Sequence, residues 1–401
     1  MNKYDYPIYP ILALAFLKVA IGFTMELAVP LYYIGEGYEP LIVGILSSAT
    51  SMAYLFSPLL LKNVPEKIGI KNSLLISAIG GLGAQFIIQF TLNPWIVYFL
   101  LFSDGIFTGL FWPVIITAIS LISNSDNVCD DIELQDSLMK SYNTSWNAGA
   151  IFSYSFGTIV LFIIVDIILI FRFTFLFSIG LFIFGLLMNE PRKKAKKEEI
   201  ILVDSDIKDS CMQEEVVFSK YSPLFYIALY SFFIGAILIL YPLKSETLQF
   251  PLYSNFLFNL LRMTAQTVSV FLVINLPLSK LKSTLYLSLA VLTGSFIVFG
   301  LNSNLLIFGT IFALFGLFGS ILYTASFKLV IYLNIDADTS KYSTYFETLS
   351  SFGFFISPII MGGIAEVDLS FSFYLLAIMA FGAFITIIFT NIRSKSKNTY
   401  T

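Results

Sequence analysis

The sequence contains no histidine and only two cysteines among its 401 residues. It therefore lacks the side chain that most often serves as a general base or zinc ligand at neutral pH. It also has no glycine-rich phosphate-binding loop, no paired-cysteine motif and no nucleophile elbow. These absences argue against an enzyme, and we expect no catalytic residues, no metal site and no cofactor.

Charged residues are scarce as well, at 12% of the chain compared with roughly 25% in soluble domains. Hydrophobic residues make up 57%, which is more apolar surface than a soluble fold of this length can bury. The apolar runs reach the ~20 residues that a bilayer-spanning helix requires, and they are too long for the ten-residue strands of a membrane barrel. The sequence therefore predicts an all-α integral membrane protein.

The apolar windows and their polar breaks predict twelve transmembrane helices in two groups of six. The first six helices are predicted over residues 11–32, 41–61, 72–92, 95–122, 145–165 and 171–188. The second six helices are predicted over residues 224–243, 251–274, 284–301, 305–333, 343–364 and 371–390.

A long polar stretch separates the two groups of helices. It opens with a basic run at residues 192–197 and turns acidic from Glu198. We therefore predict an N-terminal half over residues 1–189, a cytoplasmic linker over 190–222 and a C-terminal half over 223–401.

The positions of lysine and arginine predict the orientation in the membrane, because short cytoplasmic loops are enriched in both. With both termini inside, most of the 23 such residues fall on the cytoplasmic side. Only Arg172 and Lys244 fall in predicted outer loops. We expect a multi-pass protein of the cell membrane with both termini in the cytoplasm.

The two groups of helices also resemble each other in sequence. Matching residues occur in the same order, at an offset that drifts slowly: Gly22 with Gly235, Pro30 with Pro242, Pro65 with Pro277, Gly105 with Gly316, Gly149 with Gly353 and Ser153 with Ser357. Such a series is expected of a duplicated six-helix unit, so we predict two halves related by pseudo-two-fold symmetry.

Two segments carry a resemblance to a known family. The loop after the second predicted helix reads Glu66-Lys67-Ile68-Gly69-Ile70-Lys71, and the eleventh predicted helix contains Ser357-Pro358 followed by Gly362-Gly363. The first is similar to the acidic, basic and glycine motif found at this place in the major facilitator superfamily of secondary transporters, and the second to the glycine-proline kinks of that family. With its two six-helix halves, nearly the whole chain resembles this family.

The resemblance implies alternating-access transport and a cytoplasmic gate that includes Glu66, Lys67, Gly69 and Lys71. It also implies that the third, sixth, ninth and twelfth helices pack on the outside of the bundle. If Arg172, at the edge of the sixth predicted helix, is counted with the outer loop, no charge falls inside those four predicted helices. The charge distribution therefore agrees with the implied architecture.

Charges inside the other predicted helices are the first candidates for a transport pathway. A charge at the bilayer centre costs at least ~2.5 to 3.5 kcal/mol on insertion scales, so it usually faces the bundle interior or a water-filled cavity. The candidates are Lys18, Glu26, Asp104, Arg262, Lys328 and Glu347.

Asp104 and Arg262 lie near the middle of their predicted helices. We predict a polar centre in which Arg262 pairs with Asp104 or Glu26 in one state and with substrate or a displaced proton in another. The alternative is a permanent ion pair that holds the halves together. Lys18 and Glu26 share one helical face, so Lys18 is placed in the same pathway.

Lys328 and Glu347 lie near the cytoplasmic ends of their helices, where we expect a salt bridge at the surface or at the gate. Trp112, Trp146 and Tyr323 are candidates for an aromatic wall of the site. Packing alone is the alternative for these three residues, since 17% of the chain is aromatic.

These observations predict a secondary transporter of a small organic solute. Without histidine, any proton coupling would have to use a carboxylate, for which Glu26 and Asp104 are the candidates; Na⁺ coupling and uncoupled transport stay open. A non-transporting receptor and lipid translocation are the alternatives. We expect a monomer whose partners are the solute and the lipid bilayer, with no nucleic acid.

Overall fold

The computed structural model describes residues 8–123, 132–190, 218, 221–274, 276–333 and 339–398. Within these ranges the chain forms thirteen α-helices and no β-strand. Twelve of the helices are long and apolar enough to cross a membrane. The prediction of an all-α membrane protein with twelve spans is confirmed.

The helices of the N-terminal half are α1 (Tyr9–Gly35), α2 (Pro40–Leu61), α3 (Val64–Ile68), α4 (Ile70–Ile88), α5 (Pro94–Ser123), α6 (Ile132–Ile163) and α7 (Ile167–Leu187). Those of the C-terminal half are α8 (Ser222–Thr247), α9 (Tyr253–Ile274), α10 (Leu278–Leu301), α11 (Leu305–Leu333), α12 (Thr339–Val367) and α13 (Leu369–Asn398). We call the end of the bundle where α7 stops and α8 starts the linker side, and the opposite end the far side. Most of the predicted linker lies outside the described residues, so the exact boundaries of the halves stay predictions.

Some helix ends differ from the sequence prediction. The short α3 was not predicted, and α6 begins at Ile132, well before residue 145. α7 begins at Ile167 because the side chain of Asp166 caps it, accepting a hydrogen bond from the amide of Ile168 at 2.9 Å.

Two basic residues consequently lie inside helices rather than in the predicted outer loops. Lys244 belongs to the last turn of α8, and Arg172 lies in α7 with its side chain exposed. The prediction that the sixth span carries no charge was therefore wrong. Long side chains near a helix end can reach the membrane surface, which makes both positions tolerable.

The two halves repeat the same close helix contact. In the N-terminal half, a Cβ atom at Gly105 of α5 would collide with the backbone carbonyl of Thr50 on α2. In the C-terminal half, a Cβ atom at Gly316 of α11 would collide with the backbone carbonyl of Arg262 on α9. Equivalent contacts at matching glycines agree with the pseudo-two-fold relation that the sequence predicts.

A pair of serine hydrogen bonds repeats in the same way. Ser77 of α4 donates to the carbonyl oxygen of Phe107 on α5 at 2.7 Å. Ser288 of α10 donates to the carbonyl oxygen of Phe318 on α11 at 2.6 Å. Each bond attaches a peripheral helix to a central one in its own half.

The halves approach each other most closely on the far side. A Cβ atom at Gly44 of α2 would collide with the carbonyl group of Pro358 on α12, and one at Gly362 would lie 2.5 Å from the carbonyl oxygen of Pro40. Small residues of this kind allow helix backbones to touch inside a membrane. Every residue of α8 from 233 to 243 is also buried, so this end of the bundle is closed.

The halves meet differently on the linker side, where contacts between α2 and α12 and between α6 and α9 run through side chains. The hydroxyl group of Tyr54 lies 3.5 Å from the carboxylate of Glu347, and Thr267 donates to the side chain of Asn147 at 3.3 Å. Glu347 is nevertheless exposed, and Thr267 and Asn147 are only half-buried. A groove between the halves therefore opens toward the linker side.

An ion pair is buried within the N-terminal half. The amine of Lys18 on α1 lies 3.0 Å from the carboxylate of Asp104 on α5, and the two side chains are 5% and 14% exposed. A Cβ atom at Gly81 of α4 would lie 2.9 Å from that carboxylate, so this glycine leaves room for the pair. The predicted pairing of Arg262 with Asp104 is not formed in this state, because Asp104 has a partner in its own half.

We expect Gly105→Ala and Gly316→Ala each to destabilise the protein by about 1 to 3 kcal/mol, as overpacking does, because the methyl group forces two backbones apart. Thermal unfolding in detergent measures the effect. Gly294→Ala in α10 is the matched control, since no atom lies within 4 Å of its added Cβ. Equal melting temperatures for all three variants would contradict the close contacts.

We expect Asp104→Asn to destabilise the protein by about 3 to 5 kcal/mol, because it leaves the buried amine of Lys18 without a counter-charge. The double variant Lys18→Met/Asp104→Leu should unfold at a higher temperature than Lys18→Met alone or Asp104→Leu alone, because it removes both charges together. Losses that simply add in the double variant would show that the two side chains do not interact.

Candidate functional site

The groove between the halves contains one buried arginine. Arg262 of α9 is only 2% exposed, and three neutral groups accept hydrogen bonds from its guanidinium. Asn259 accepts at 3.1 Å, Gln266 at 3.3 Å and the hydroxyl group of Tyr154 at 3.3 Å. Asn259 and Gln266 lie one turn away on α9 itself, whereas Tyr154 comes from α6 of the other half. In this state, a hydrogen bond without an opposing charge links Arg262 to the N-terminal half.

Tyr230 of α8 completes this network by donating to the side-chain oxygen of Gln266 at 3.0 Å. All these polar groups are buried, so each must find a hydrogen-bond partner in the protein or in a ligand. The network lies between α6 of the N-terminal half and α8 and α9 of the C-terminal half. Its contacts must therefore change when the two halves separate or close.

Glu26 lies beside this network on α1. It is partly accessible, as are Phe23 and Gly22 on the same face of the helix, while most neighbouring residues are buried. Arg262 exerts an electrostatic attraction on its carboxylate, but no ion pair or hydrogen bond of Glu26 occurs among the described residues. Glu26 is therefore a carboxylate with free acceptor positions facing the groove.

Glu347 of α12 forms a second centre nearer the linker side. Its described hydrogen-bond partner is the hydroxyl group of Tyr54 on α2, at 3.5 Å. The hydroxyl groups of Tyr142 on α6 and Tyr323 on α11 lie within electrostatic range of the same carboxylate. Three helices, two of them from the opposite half, thus place tyrosines around Glu347.

The salt bridge predicted between Lys328 and Glu347 is not formed. The amine of Lys328 donates instead to the backbone carbonyl of Leu276, just beyond the end of α9. Lys328 therefore holds the end of a neighbouring helix in its own half, and Glu347 is left to the tyrosines.

Aromatic rings connect the two centres. The ring of Tyr230 lies 5.3 Å from that of Tyr323, which is 36% exposed. On the opposite side of the groove, Phe23 lies 5.6 Å from both Trp146 and Tyr154. We call these five residues the aromatic wall, and it includes two of the three aromatic residues that the sequence predicted for the site.

The third aromatic candidate is placed differently. Trp112 of α5 is half-buried, and its described ring contact is with the adjacent Phe111, at 5.1 Å. The structure does not bring it to the aromatic wall.

The predicted gate motif lies within the N-terminal half in this state. Gly69 joins α3 to α4 with φ of +86°, a conformation that favours glycine. The carboxylate of Glu190 accepts hydrogen bonds from the amides of Ile70 and Lys71 at 2.6 and 2.7 Å. It therefore caps the start of α4, where a negative charge is favourable.

The two remaining residues of the motif, Glu66 and Lys67, are exposed on the linker side. The motif thus stabilises one half and makes no described bridge to the other. A gating role for these residues stays a prediction.

Sequence reasoning missed Tyr54 and Tyr154, which stand in apolar stretches with no distinguishing pattern. It also missed the polar partners of Arg262, for which a signal existed. Polar residues recur every three or four positions along α9 and are all buried: Asn255, Asn259, Arg262, Gln266 and Ser269. A buried polar stripe on a membrane helix indicates a face turned to protein or water rather than lipid.

No cluster of three or more histidine, cysteine, aspartate or glutamate side chains that could hold a metal ion occurs in the part of the chain that the structure describes. The described residues that face the groove offer two carboxylates, one guanidinium group, hydroxyl groups and aromatic rings.

The fold is that of known transporters. The nucleoside transporter NupG has a TM-score of 0.70 and 16% identity, over 97% of this chain and 99% of that one. A point variant of NupG has a TM-score of 0.67 and 15% identity, over 94% and 99%. The human organic anion transporter MFSD10 (TETRAN) has a TM-score of 0.63 and 14% identity, over 95% and 99%. At these identities the likeness concerns the fold alone.

A search of curated protein sequences found no match. The sequence model of the Major Facilitator Superfamily, in contrast, matches residues 11–333. This match includes Glu26 and the network of Arg262, ends before Glu347 and spans most of the chain. The protein therefore belongs to the Major Facilitator Superfamily.

Proposed function

We propose that the protein is a secondary transporter that moves a small organic solute through the groove by alternating access. The observation that supports this most directly is the hydrogen bond between Arg262 and Tyr154. It joins the two halves through a buried polar network, and ionisable residues inside membrane helices usually mark a substrate or ion pathway.

The network is suited to exchanging partners. The described partners of Arg262 are neutral, so separating Arg262 from the hydroxyl group of Tyr154 breaks one hydrogen bond and no ion pair. A typical hydrogen bond contributes about 0.5 to 1.5 kcal/mol net. Ligand binding can supply that amount, so the solute can release one half from the other.

Glu26 is our candidate for proton coupling. Of the two carboxylates considered from sequence, Asp104 is held by Lys18, whereas Glu26 has no ion pair among the described residues. A proton on Glu26 would cancel its attraction to Arg262 and so change the charge of the groove. Na⁺ is the alternative ion for the same carboxylate.

We place the linker side and both termini in the cytoplasm, and the protein in the cell membrane as a monomer that catalyses no covalent reaction. Basic residues support this orientation, because the linker side has Lys62, Lys67, Lys140 and Lys280, while the far side has Arg172 and Lys244. The far side also has exposed Glu36, Glu39 and Glu246.

We expect Arg262→Ala to reduce solute uptake into proteoliposomes at least tenfold. The solute is first identified by thermal shift of the wild type against sugars, amino acids, organic acids, nucleosides and amphiphilic cations. Arg172→Ala is the matched control, since Arg172 is exposed on the peripheral helix α7 and should leave uptake unchanged. Tyr154→Phe keeps the ring and removes only the hydrogen bond between the halves, so it tests the contact without leaving a cavity.

The transporter proposal fails if no compound of the panel stabilises the wild type and none accumulates in proteoliposomes. It also fails if Arg262→Ala and Arg172→Ala, both folded, transport equally well.

We expect Glu26→Gln to abolish accumulation driven by a pH gradient but to retain exchange of labelled for unlabelled solute, because exchange needs no net proton movement. Glu366→Gln, at an exposed far-side position, is the control and should behave as wild type. Gradient-driven accumulation by Glu26→Gln at the wild-type level would exclude Glu26 as the coupling group.

A further inference from the structure

The groove carries more negative than positive charge. Among the described residues, two carboxylates face it, those of Glu26 and Glu347, against the guanidinium group of Arg262. Lys18 and Asp104 neutralise each other and do not change this balance. A groove with an excess of negative charge attracts ligands of the opposite sign, so it is suited to a ligand that brings one positive charge.

Glu347 is the carboxylate at which a positively charged ligand would bind. Arg262 already attracts Glu26, but no basic side chain among the described residues acts on Glu347, whose neighbours there are tyrosines. Lys328, which the sequence predicted as its partner, donates to a backbone carbonyl instead. The negative charge of Glu347 is therefore balanced by no described group.

The surroundings of Glu347 are aromatic. Tyr323 lies within electrostatic range of the carboxylate, and its ring packs against those of Tyr230, at 5.3 Å, and Phe346, at 6.4 Å. Tyr54 and Tyr142 face the carboxylate from the other half. The faces of aromatic rings attract cations, and a carboxylate among such rings suits an ammonium group that carries apolar substituents.

Other ligand classes fit less well. An anion would be repelled by Glu26 and Glu347, whose two negative charges outnumber the one positive charge of Arg262 among the described residues of the groove. A neutral solute would leave the charge of Glu347 unbalanced. A small hydrated metal ion would gain little from the rings, since it requires oxygen ligands.

A pocket on the far side has the same charge preference. It has a volume of about 440 Å³, and its lining includes Glu36, Asp166 and Glu246 but no basic residue. Asn255, which is 1% exposed, also lines it, and its side-chain oxygen has no hydrogen-bond partner in the part of the chain that the structure describes. The amide nitrogen of that side chain donates to Ser245, which leaves the oxygen free for an external donor.

This pocket lies between the ends of α1 and α8 and the turn from α6 to α7, on the closed side of the bundle. A surface lined by charges of one sign raises the local concentration of ligands of the opposite sign. Both ends of the route through the protein are therefore suited to a cation.

We propose that the transported solute is a monovalent organic cation, an amine or quaternary ammonium compound with apolar substituents, bound by Glu347 and the surrounding aromatic rings. This inference rests on the proposed transport function. It assigns Glu347 to substrate binding, beyond the gate position that the sequence predicted for it.

The test compares three ligands that share one ring and differ in charge: benzyltrimethylammonium, benzyl alcohol and phenylacetate. Binding to the purified protein is measured by isothermal titration calorimetry, and uptake is measured in proteoliposomes. We expect the cation to bind at least tenfold more tightly than the other two ligands. Glu347→Gln should weaken cation binding at least tenfold and leave benzyl alcohol binding unchanged.

Glu366→Gln is the matched control, because it makes the same substitution in the same helix at an exposed far-side position. Tyr323→Leu is a second variant that retains the carboxylate and removes a ring. It should weaken binding of the cation several-fold more than binding of the alcohol. The melting temperature of each variant without ligand shows whether it is folded.

The outcomes separate the two proposals. If the cation binds equally well to wild type and folded Glu347→Gln, the assigned site is wrong. If a neutral or anionic compound is transported and the cation is not, the substrate class is wrong and the transporter proposal stands. If neither these ligands nor any compound of the wider panel is bound or transported, both proposals fail.

Discussion

Charged side chains inside membrane helices are tolerated only where protein or water surrounds them, and the arrangement of the bundle follows from this constraint. Lys18, Asp104 and Arg262 are enclosed by neighbouring helices, while Glu26 and Glu347 face the groove between the halves. The helices α4, α7, α10 and α13 pack mainly against their own half. The charged residues of these four helices all lie within six residues of a helix end, and Arg172 is the sixth residue of α7.

The two ends of the bundle are held by different forces. On the far side, glycines bring the backbones of α2 and α12 into direct contact, whereas on the linker side Tyr54 and Glu347 meet at 3.5 Å through long side chains. Side chains can change rotamer without moving a helix, but a backbone contact can only be broken by moving the helix. Opening of the far side therefore requires one half to rotate as a body, which is the motion that alternating access describes.

The charged and aromatic residues proposed for transport lie between these two ends of the bundle. The network of Arg262 lies next to Glu26, and the aromatic wall leads from it to Glu347. A solute in the groove can replace contacts between the halves with contacts to itself. Binding and movement are thus linked through the same side chains.

The number of helices, the repeated glycines and the depth of the charges at Asp104 and Arg262 could be predicted, because apolar length and order along the chain determine them. The partners of the charges could not. A sequence shows how deep Asp104 and Arg262 lie but not which way each faces, and Asp104 turns to Lys18 within its own half. Lys328 and Glu347 likewise lie near the same membrane surface but have different partners. The early start of α6 escaped prediction because its first turns are polar, although they bring Tyr142 to Glu347. The polar stripe of α9, in contrast, is a spacing pattern that the sequence itself displays, and it points to the partners of Arg262.

Alternating access requires the two halves to move as rigid bodies around the groove. Distances between paired spin labels test this directly, with one pair at Glu39 and Glu366 on the far side and the other at Lys62 and Tyr345 on the linker side, all of them exposed positions. The native cysteines are first replaced. On addition of the transported solute, we expect a population in which the far-side distance is longer and the linker-side distance is shorter. Two distances that stay unchanged during transport, or that lengthen together, would contradict the account.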